Sequence, residues 1–571
     1  MARILGNLAR QTVTRAKQIP ALRRFLASPA AAPVVATAAK WFPPADPAYE
    51  RWIVQRIRQR RDEYPPLAEP GLLSLITPVW NTPPQYLMVL AASVFQQSAE
   101  PPFEWIVLDN GSTHTQTLEV LEQVLRPDPR VRLFRSETNL GIIGGMRYCL
   151  ERASGRYVVA VDHDDRLDPD CLTVLTHHIQ RQHDPPLLYS DEDHLCSGNR
   201  LLPYFKPAWD PVLFLNSAYT AHVGVMDRRL ALELDVYGDP TANSCPDWDA
   251  FLRFYLAGYE PVHVPEIVYS WRMHPGSTSA NMHSKRDVAA SHRAMLDRYR
   301  RSLAQPDRYE IIRSPLFAGT PDWWIRRRHV VPRPMLLVVM TAGRHSAPQT
   351  TTAAATDYPC TELITIAHQA HPSILADQIT DIAAAGGLVV FLDDTLQIEG
   401  DEWAWEALGL IERHPEIGVV GGRIIDSKRR VVDAGRYFGR GGRLFCPDAG
   451  RAAGDPGYFH QMWKQHCVDA VSPRFCVFEA TFLGELLSQV MPVQFTLADL
   501  GSVAGGYAAR TGRRVVYSPF LSASGDDNWR ETAPALPDAP ERSRYYSAAL
   551  DTNIKRAYQP VFTADQTCEV K

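Results

Sequence analysis

The side chains best suited to chemistry lie where a run of apolar residues ends in carboxylates. Residues 157–161 are apolar and rich in valine, which is typical of a buried strand in a parallel sheet. Asp162, Asp164 and Asp165 follow directly. Open α/β sheets bind ligands at the carboxyl ends of their strands, and crowded carboxylates favour a hard divalent cation, Mg²⁺ or Mn²⁺. The alternative is a solvated acidic turn before a helix that begins at Asp168-Pro169.

The neighbouring elements have the order that would position such a turn. Apolar runs at 72–80, 105–109 and 131–134 predict three earlier strands, and helical patterns separate them. The alternation predicts an α/β fold with a mostly parallel, doubly wound sheet. Asp109 ends the second strand, and a later helix opens with Pro246, Asp247 and Asp249. A carboxylate in the first turn of a helix is stabilised by the helix dipole and suits a general base.

Two familiar nucleotide sites are missing from the sequence. No G-x-G-x-x-G follows the first strand, and no G-x-x-x-x-G-K-[ST] occurs anywhere. A bound diphosphate would therefore need another positive charge, which a metal at the acidic turn would supply. These absences argue against a dehydrogenase or a P-loop protein. They also argue against a sugar nucleotidyltransferase, which would need a Gly-rich basic loop after the first strand.

Seven motifs in order make residues 70–315 resemble the family-two glycosyltransferases with a GT-A fold, in particular the bacterial branch that assembles O-antigen and capsular polysaccharide. The motifs begin with TPVWN, LDNGST, NLGI and DHDD, and continue with YSDED, DWD and WRMHPGSTS. The resemblance implies an inverting hexosyl- or deoxyhexosyltransferase. Its donor would be a nucleotide-diphosphate sugar, its cofactor Mn²⁺ or Mg²⁺, and its acceptor a glycan or a lipid-linked glycan.

The resemblance also assigns roles to individual residues. It implies that the nucleotide sugar is bound by Thr77, Pro78, Asp109 and Asp162. It implies that the metal is bound by Asp164, Asp165 and His274, and that the general base is Asp247. Carboxylates on the acceptor side would be Asp191, Asp193 and Asp249. Arg147 replaces the Asn usual in the family, and its spacing predicts an ion pair with Glu151.

The sequence predicts a second domain at 330–550 that repeats the first. Residues 335–340 repeat the opening strand, and residues 387–395 repeat the acidic strand with Asp393 and Asp394 at its end. The repeat is degenerate, since no Asp ends the strand near 363–367 and Ser522 to Gly525 stand where the family has a His. Asp499 is the remnant of the base motif. The prediction is therefore two tandem GT-A, Rossmann-like domains, of which the domain at 71–315 is catalytic.

The first 70 residues predict a basic helical extension. Seven Lys and Arg residues precede the first acid, Asp46, and a second basic helix covers 51–61. Such a helix could lie on an anionic membrane surface or pack on the following domain. A lipid-linked acceptor would favour the first alternative, peripheral contact with the inner face of the cytoplasmic membrane.

Composition limits the remaining classes. The net charge of −4 argues against a nucleic-acid partner, and the nine cysteines show no metal-binding spacing, which predicts reduced thiols in the cytoplasm. No apolar run reaches the 18 residues of a spanning helix, and no signal peptide is evident. Two alternatives to a single active domain remain: a bifunctional transferase, or a pseudo-glycosyltransferase scaffold that binds glycans or partner enzymes.

Overall fold

The computed structural model describes residues 46–65, 73–97, 102–274, 286–317, 322–341, 358–359, 362–490, 496–525 and 540–561. The first 45 residues lie outside this set, so the membrane prediction for Arg3 to Arg24 stays a prediction. The described residues fall into two compact units. The first contains residues up to Phe205 and Thr220–Ser291, and the second contains Lys206–Tyr219 and His292–Val561. Residues 292–315, placed in the first domain by sequence, thus group with the second unit.

The helices are numbered along the chain. They are α1 (Pro47–Glu63), α2 (Pro84–Phe95), α3 (Thr115–Val120), α4 (Gly141–Arg152), α5 (Cys171–Arg181), α6 (Pro211–Phe214), α7 (Arg228–Glu233), α8 (Pro246–Leu256), α9 (Arg286–Ser302), α10 (Ala376–Ala384), α11 (Trp403–Arg413), α12 (Ala480–Val490) and α13 (Leu500–Thr511).

The strands follow the same convention. They are β1 (Leu73–Val79), β2 (Phe103–Asn110), β3 (Val131–Ser136), β4 (Tyr157–Ala160), β5 (Arg166–Leu167), β6 (Leu187–Cys196), β7 (Asn199–Tyr204), β8 (Gly224–Asp227), β9 (Val262–Arg272), β10 (Tyr309–Arg313), β11 (Trp323–Arg327), β12 (Met335–Thr341), β13 (Glu362–Ala367), β14 (Leu388–Asp393), β15 (Gln397–Glu399), β16 (Ile417–Ile425), β17 (Val431–Asp433), β18 (Tyr437–Phe438), β19 (Leu444–Phe445), β20 (His466–Val468), β21 (Phe475–Glu479) and β22 (Arg514–Ser524).

The first unit is built on one nine-stranded sheet in the order β3-β2-β1-β4-β8-β6-β9-β5, with β7 paired to β6. The four strands from β3 to β4 are parallel, as predicted. Beyond β4 the sheet is mixed, because β8 runs antiparallel to both β4 and β6. All eight residues of β2 are buried, including the fully enclosed Trp105, which explains the unbroken apolar run in that strand.

Helix α1 begins at a strong local signal and is anchored by its buried face. The Asp46 side chain accepts hydrogen bonds from the backbone of Ala48 and Tyr49, and Pro47 occupies the first turn. Its buried residues are Tyr49, Ile53, Arg56 and Arg60. The described part of the basic extension therefore packs on the first unit, with two arginines buried and Arg51, Arg58 and Arg61 exposed.

The second unit repeats the topology of the first. Its main sheet has the order β13-β12-β14-β21-β16-β22-β15, which corresponds strand by strand to β2-β1-β4-β8-β6-β9-β5. The directions also agree: β12 and β14 are parallel, β21 is antiparallel to β14 and β16, and β16 is parallel to β22. The predicted α/β class with two tandem domains is confirmed, and both sheets are mixed rather than mostly parallel.

Candidate active site

The acidic turn follows β4 and is held by the end of β9. The hydroxyl of Tyr269 donates to Asp165 at 2.6 Å and accepts from the backbone N–H of Asp162 at 3.2 Å. The backbone N–H of Arg272 donates to the second oxygen of Asp165 at 2.7 Å, and its Nε donates to the carbonyl of Asp164. The turn is therefore fixed before any ligand binds, which is what a preorganised site requires.

Asp164 and His274 are bound to each other. Nε2 of His274 lies 2.7 Å from Oδ2 of Asp164, and the imidazole packs on the ring of Tyr86 at 5.0 Å. The sequence predicted both residues as metal ligands together with Asp165. The structure brings all three residues into one small region. The contact between Asp164 and His274 occupies one carboxylate oxygen and one ring nitrogen that could otherwise bind a metal.

His222, in the loop before β8, also lies at the acidic turn. Asp162, Asp165 and His222 each offer a ligand atom, and these atoms all lie within 4.8 Å of one another. Two ligands on opposite sides of one divalent cation are about 4–5 Å apart, so this donor set fits a single ion. The chemistry also fits, since two carboxylates and an imidazole suit Mn²⁺ or a similar cation. His222 carries no sequence motif and was not predicted.

Crowding in the turn sets the protonation of the carboxyl groups. Burial raises the pKa of Asp165 well above its usual value, and the nearby charges of Asp164 and Asp162 raise it further. Burial also acts against ionisation of Asp164, but the hydrogen bond from His274 and the nearby His163 hold its pKa below the usual value. A bound cation would relieve the repulsion that acts on Asp165.

The expected nucleobase contact lies at the end of β2. Asp109 is buried; one of its oxygens accepts from the backbone N–H of Ser112 at 2.8 Å, and the other lies 3.3 Å from Nε of Arg135. Gly111 turns the chain here with φ +77°, and a Cβ at this position would lie 2.7 Å from the backbone of Thr138. The turn thus needs glycine, and it leaves Asp109 at the carboxyl edge of the sheet.

Asn243 ties this edge to the helix that carries the candidate base. Its Oδ1 accepts from the backbone N–H groups of Ile142 and Ile143 at 2.9 and 3.1 Å, at the N-terminus of α4. The loop containing Asn243 leads directly into α8, which begins with Pro246 and has Asp247 in its first turn, as predicted. This link was missed, because an Asn in a loop gives no sign of a partner 100 residues away.

The two acids of α8 have different surroundings. Asp249 is fully buried, and its carboxylate accepts from Nε of Arg253 at 2.7 Å. Asp247 is partly exposed. The buried phenol of Tyr237 has a raised pKa because of burial first, and then because of the charges of Asp247 and Asp162. Tyr237 therefore lies near both carboxylates, and among the described residues its hydroxyl has no hydrogen-bond partner.

Two more predicted site residues, Thr77 and Asp191, are buried in the sheet of the first unit. Thr77 is fully buried and its hydroxyl accepts from Nε1 of Trp105 at 3.0 Å, while Pro78 follows it within β1. Asp191 is buried in β6, where Nε2 of His263 lies 2.8 Å from its carboxylate. The described contacts of Thr77 and Asp191 are thus with side chains of neighbouring strands in the same sheet.

Asp193 belongs to a buried ionic cluster between α1 and the sheet. Its carboxylate accepts from the hydroxyl of Tyr49 at 2.6 Å and from Nε of Arg200 at 2.5 Å. Arg200 also reaches Asp168 at 2.7 Å, and Asp168 is held from its other side by Arg60 at 2.8 Å. The predicted helix start at Asp168 is wrong, because this carboxylate binds two arginines and α5 begins only at Cys171.

Arg147 makes the predicted pair and two further contacts. Its Nε donates to Glu151 at 2.7 Å, which confirms the spacing argument. Its Nη1 also donates to the carboxylate of Asp235 and to the carbonyl of Val236, both at 3.1 Å. Arg147 thereby fastens α4 to the loop that contains Tyr237.

The acidic strand end of the second unit has a different partner. Oδ2 of Asp393 lies 3.2 Å from Nε of Arg474, and both side chains are buried. Nη2 of Arg474 donates to the hydroxyl of Thr395 at 3.1 Å, and the backbone N–H of Asp393 donates to the carbonyl of Arg474 at 2.8 Å. Within the described part of this unit, no three metal-binding side chains converge as they do in the first.

Comparison with known proteins finds a family model that matches part of the first unit. Residues 74–193 match the model of Glycosyl transferase family 2. The matched segment contains β1 to β4, the acidic turn and most of β6. This match agrees with the resemblance to the family-two glycosyltransferases that the motifs of this region predicted.

Two relatives are similar to this chain over more of its length. The O-antigen biosynthesis protein RfbC of Myxococcus xanthus is 25% identical over 477 residues, which cover 76% of this chain and 35% of that protein. Protein y4gI of Sinorhizobium fredii is 26% identical over 407 residues, 65% of this chain and 44% of that protein. The chain thus spans less than half the length of these two relatives.

Shorter relatives and solved structures match over smaller parts. The Escherichia coli protein named "Putative colanic acid biosynthesis glycosyl transferase WcaA" is 27% identical over 210 residues. The match covers 34% of this chain and 70% of that protein. The crystal structure of S. aureus TarS is 21% identical with a TM-score of 0.32, covering 40% of this chain and 39% of that one.

None of the described helices is long and apolar enough to cross a membrane.

Proposed function

We propose that the first unit transfers a sugar from a nucleotide-diphosphate donor to a hydroxyl of a glycan or lipid-linked acceptor, with inversion and with help from a divalent cation. The observation that carries the proposal is the convergence of Asp162, Asp165 and His222 at the carboxyl edge of a family 2 sheet. The names of the relatives, which refer to O-antigen and colanic acid biosynthesis, support assembly of a cell-surface polysaccharide.

The donor would lie along the carboxyl edge between β2 and β4. Asp109 would bind the nucleobase, since the hydrogen bond from the backbone N–H of Ser112 fixes its carboxylate at the end of the strand. Arg272 would contribute a hydrogen-bond donor to the diphosphate: its guanidinium is buried beside the acidic turn, and among the described residues Nη2 has no hydrogen-bond partner. The cation, when bound, offsets charge on the leaving diphosphate.

The acceptor hydroxyl would be activated by Asp247. Its place in the first turn of α8 keeps the carboxylate stabilised by the helix dipole, and its partial exposure leaves it accessible to a second substrate. Attack on the face opposite the leaving group inverts the anomeric centre, and no covalent enzyme intermediate is needed.

We also propose that the second unit does no sugar transfer. Its acidic strand end has a guanidinium as counter-ion, so the charge that would draw in a metal is already neutralised. This favours one active unit over a bifunctional enzyme. The second unit would then support the first or bind glycan, and the basic N-terminus would hold the chain at the membrane face where a lipid-linked acceptor lies.

The decisive experiment is a donor panel. The full chain is incubated with nucleotide sugars, Mn²⁺ and glycan acceptors, and release of nucleoside diphosphate is followed with and without acceptor. Proton NMR of the product then gives the anomeric configuration. We expect acceptor-dependent release with one donor and an inverted linkage. Retention of configuration, or no release above the level of the Asp247→Asn variant with any donor, would refute the proposal.

A further inference from the structure

One position faces the acidic strand end across the sheet in both units, and its residue type differs. In the first unit β8 is antiparallel to β4, with Val159 opposite Val225. Continuing both chains by three residues sets Asp162 opposite His222. In the second unit β21 is antiparallel to β14, with Val390 opposite Val477, and continuing both chains by three residues sets Asp393 opposite Arg474.

The arginine of the second unit shows what this position does. Its Nε lies 3.2 Å from Asp393, and its side chain is 3% exposed. A guanidinium is always protonated and has no lone pair to offer a metal. It therefore acts as a built-in cation that neutralises the strand-end carboxylate.

The histidine of the first unit is held in place by the same residue that holds the acidic turn. The imidazole of His222 stacks on the ring of Tyr269, with centroids 5.2 Å apart and planes 18° apart, and it meets Trp271 edge-on at 5.1 Å. The hydroxyl of Tyr269 accepts from the backbone N–H of Asp162 and donates to the carboxylate of Asp165. Tyr269 thus contacts all three residues of the candidate site, much as outer partners orient the ligands of a metal.

We propose that His222 is the imidazole ligand of the divalent cation in the first unit, together with Asp162 and Asp165. The residue at this register position then decides which unit binds a metal: an imidazole recruits the cation, and a guanidinium replaces it. The inference rests on the proposed function only in taking the cation to be the one that serves sugar transfer. It also separates the two histidines of the site, because His274 is paired with Asp164 instead.

The test measures metal binding without any sugar donor. Free Mn²⁺ is titrated into the full chain and followed by electron paramagnetic resonance, and pulsed measurements detect a directly bound ¹⁴N. We expect one Mn²⁺ per chain with a nitrogen coupling. His222→Ala should lose the coupling and weaken binding by at least about 100-fold, since even outer partners of metal ligands account for about 10–100-fold. His222→Arg, which copies the second unit, should abolish binding.

His274→Ala is the matched control, because it removes an imidazole from the same site. We expect it to keep the nitrogen coupling and to bind Mn²⁺ within about tenfold of the parent, as for the loss of an outer partner. Thermal unfolding in EDTA checks that each variant is folded. A coupling that survives in folded His222→Ala, or one that disappears only in His274→Ala, would overturn the proposal, as would absence of Mn²⁺ binding by the parent.

The outcome is separable from that of the donor panel. A parent chain that binds Mn²⁺ through His222 but transfers no sugar would keep this inference and refute the proposed function. A chain that transfers sugar while His222→Ala retains normal Mn²⁺ affinity would do the reverse.

Discussion

Replacing Arg60 with Met should loosen the attachment of α1 far more than replacing any exposed arginine of that helix. Arg60 is fully buried and donates to Asp168 at 2.8 Å, to both oxygens of Asp170 at 2.9 Å, and to the carbonyl of Ile267 at 2.7 Å. Methionine fills a similar volume but makes none of these bonds. Asp168 and Asp170 would then remain in the interior without this counter-ion.

The size of the effect follows from what remains. Removing one partner of a buried ion pair costs about 3–5 kcal/mol. Asp168 retains Arg200 at 2.7 Å, so we expect the lower end, about 3 kcal/mol. At about 1.4 kcal/mol per factor of ten, the equilibrium for local opening of α1 should rise by about 10²-fold.

Native-state hydrogen exchange of residues 47–63 measures that opening directly. Arg58→Met is the matched control, because Arg58 is exposed on the same helix and should change the opening equilibrium by about twofold or less, which corresponds to about 0.5 kcal/mol. If amides of α1 exchange no faster in Arg60→Met than in Arg58→Met, the buried cluster does not anchor the helix and the reasoning fails.

Three further predictions concern the base, the pH dependence and the second unit. Asp247→Asn should retain donor binding while transfer falls by about 10²–10⁴-fold in single-turnover assays; loss of donor affinity instead would place Asp247 in the nucleotide site. Burial, and then the charge of Arg181, lower the pKa of His178 to about 4. Its neutral form therefore stabilises the fold above the unfolded pKa near 6.5, and this contribution, about 3 kcal/mol, should be lost as pH falls from 6.5 toward 4. Urea unfolding should show a smaller loss for His178→Gln, and equal losses would contradict the assignment. Joint replacement Asp393→Ala and Asp394→Ala should leave transfer within about twofold in the donor assay, whereas loss of a distinct second transfer step would reveal a bifunctional enzyme.

Local signals carried the parts of the fold and site that sequence could predict. The acidic turn, Asp109 and the first turn of α8 each follow from a strand end or a helix start, which depend on neighbouring residues. The mixed sheets could not be predicted this way, because a fully buried strand has the same apolar run in either direction. The helix start predicted at Asp168 was wrong for a related reason: its partner Arg60 lies 108 residues away along the chain, and the sequence around Asp168 gives no sign of this pair.

His222 illustrates the same limit within the candidate site. Its immediate neighbours, Ala221 and Val223, give no sign of chemistry, and the residue enters the site only because β8 reverses direction next to β4. His274 lies in the WRMHPGSTS motif, so the sequence predicted it as the histidine that binds the metal. Antiparallel register is a property of two strands at once, so neither strand's sequence contains it.

The built-in guanidinium of the second unit has a thermodynamic consequence. A ligand that binds only the folded state stabilises it according to its concentration, so a cation should raise the melting temperature of a unit that binds it. Arg474 is part of the chain and is never diluted, chelated or exchanged for another ion. The two units would thus respond differently to metal supply. The first unit would gain stability and the ability to transfer sugar together as the cation becomes available, while the second unit would keep the same stability throughout.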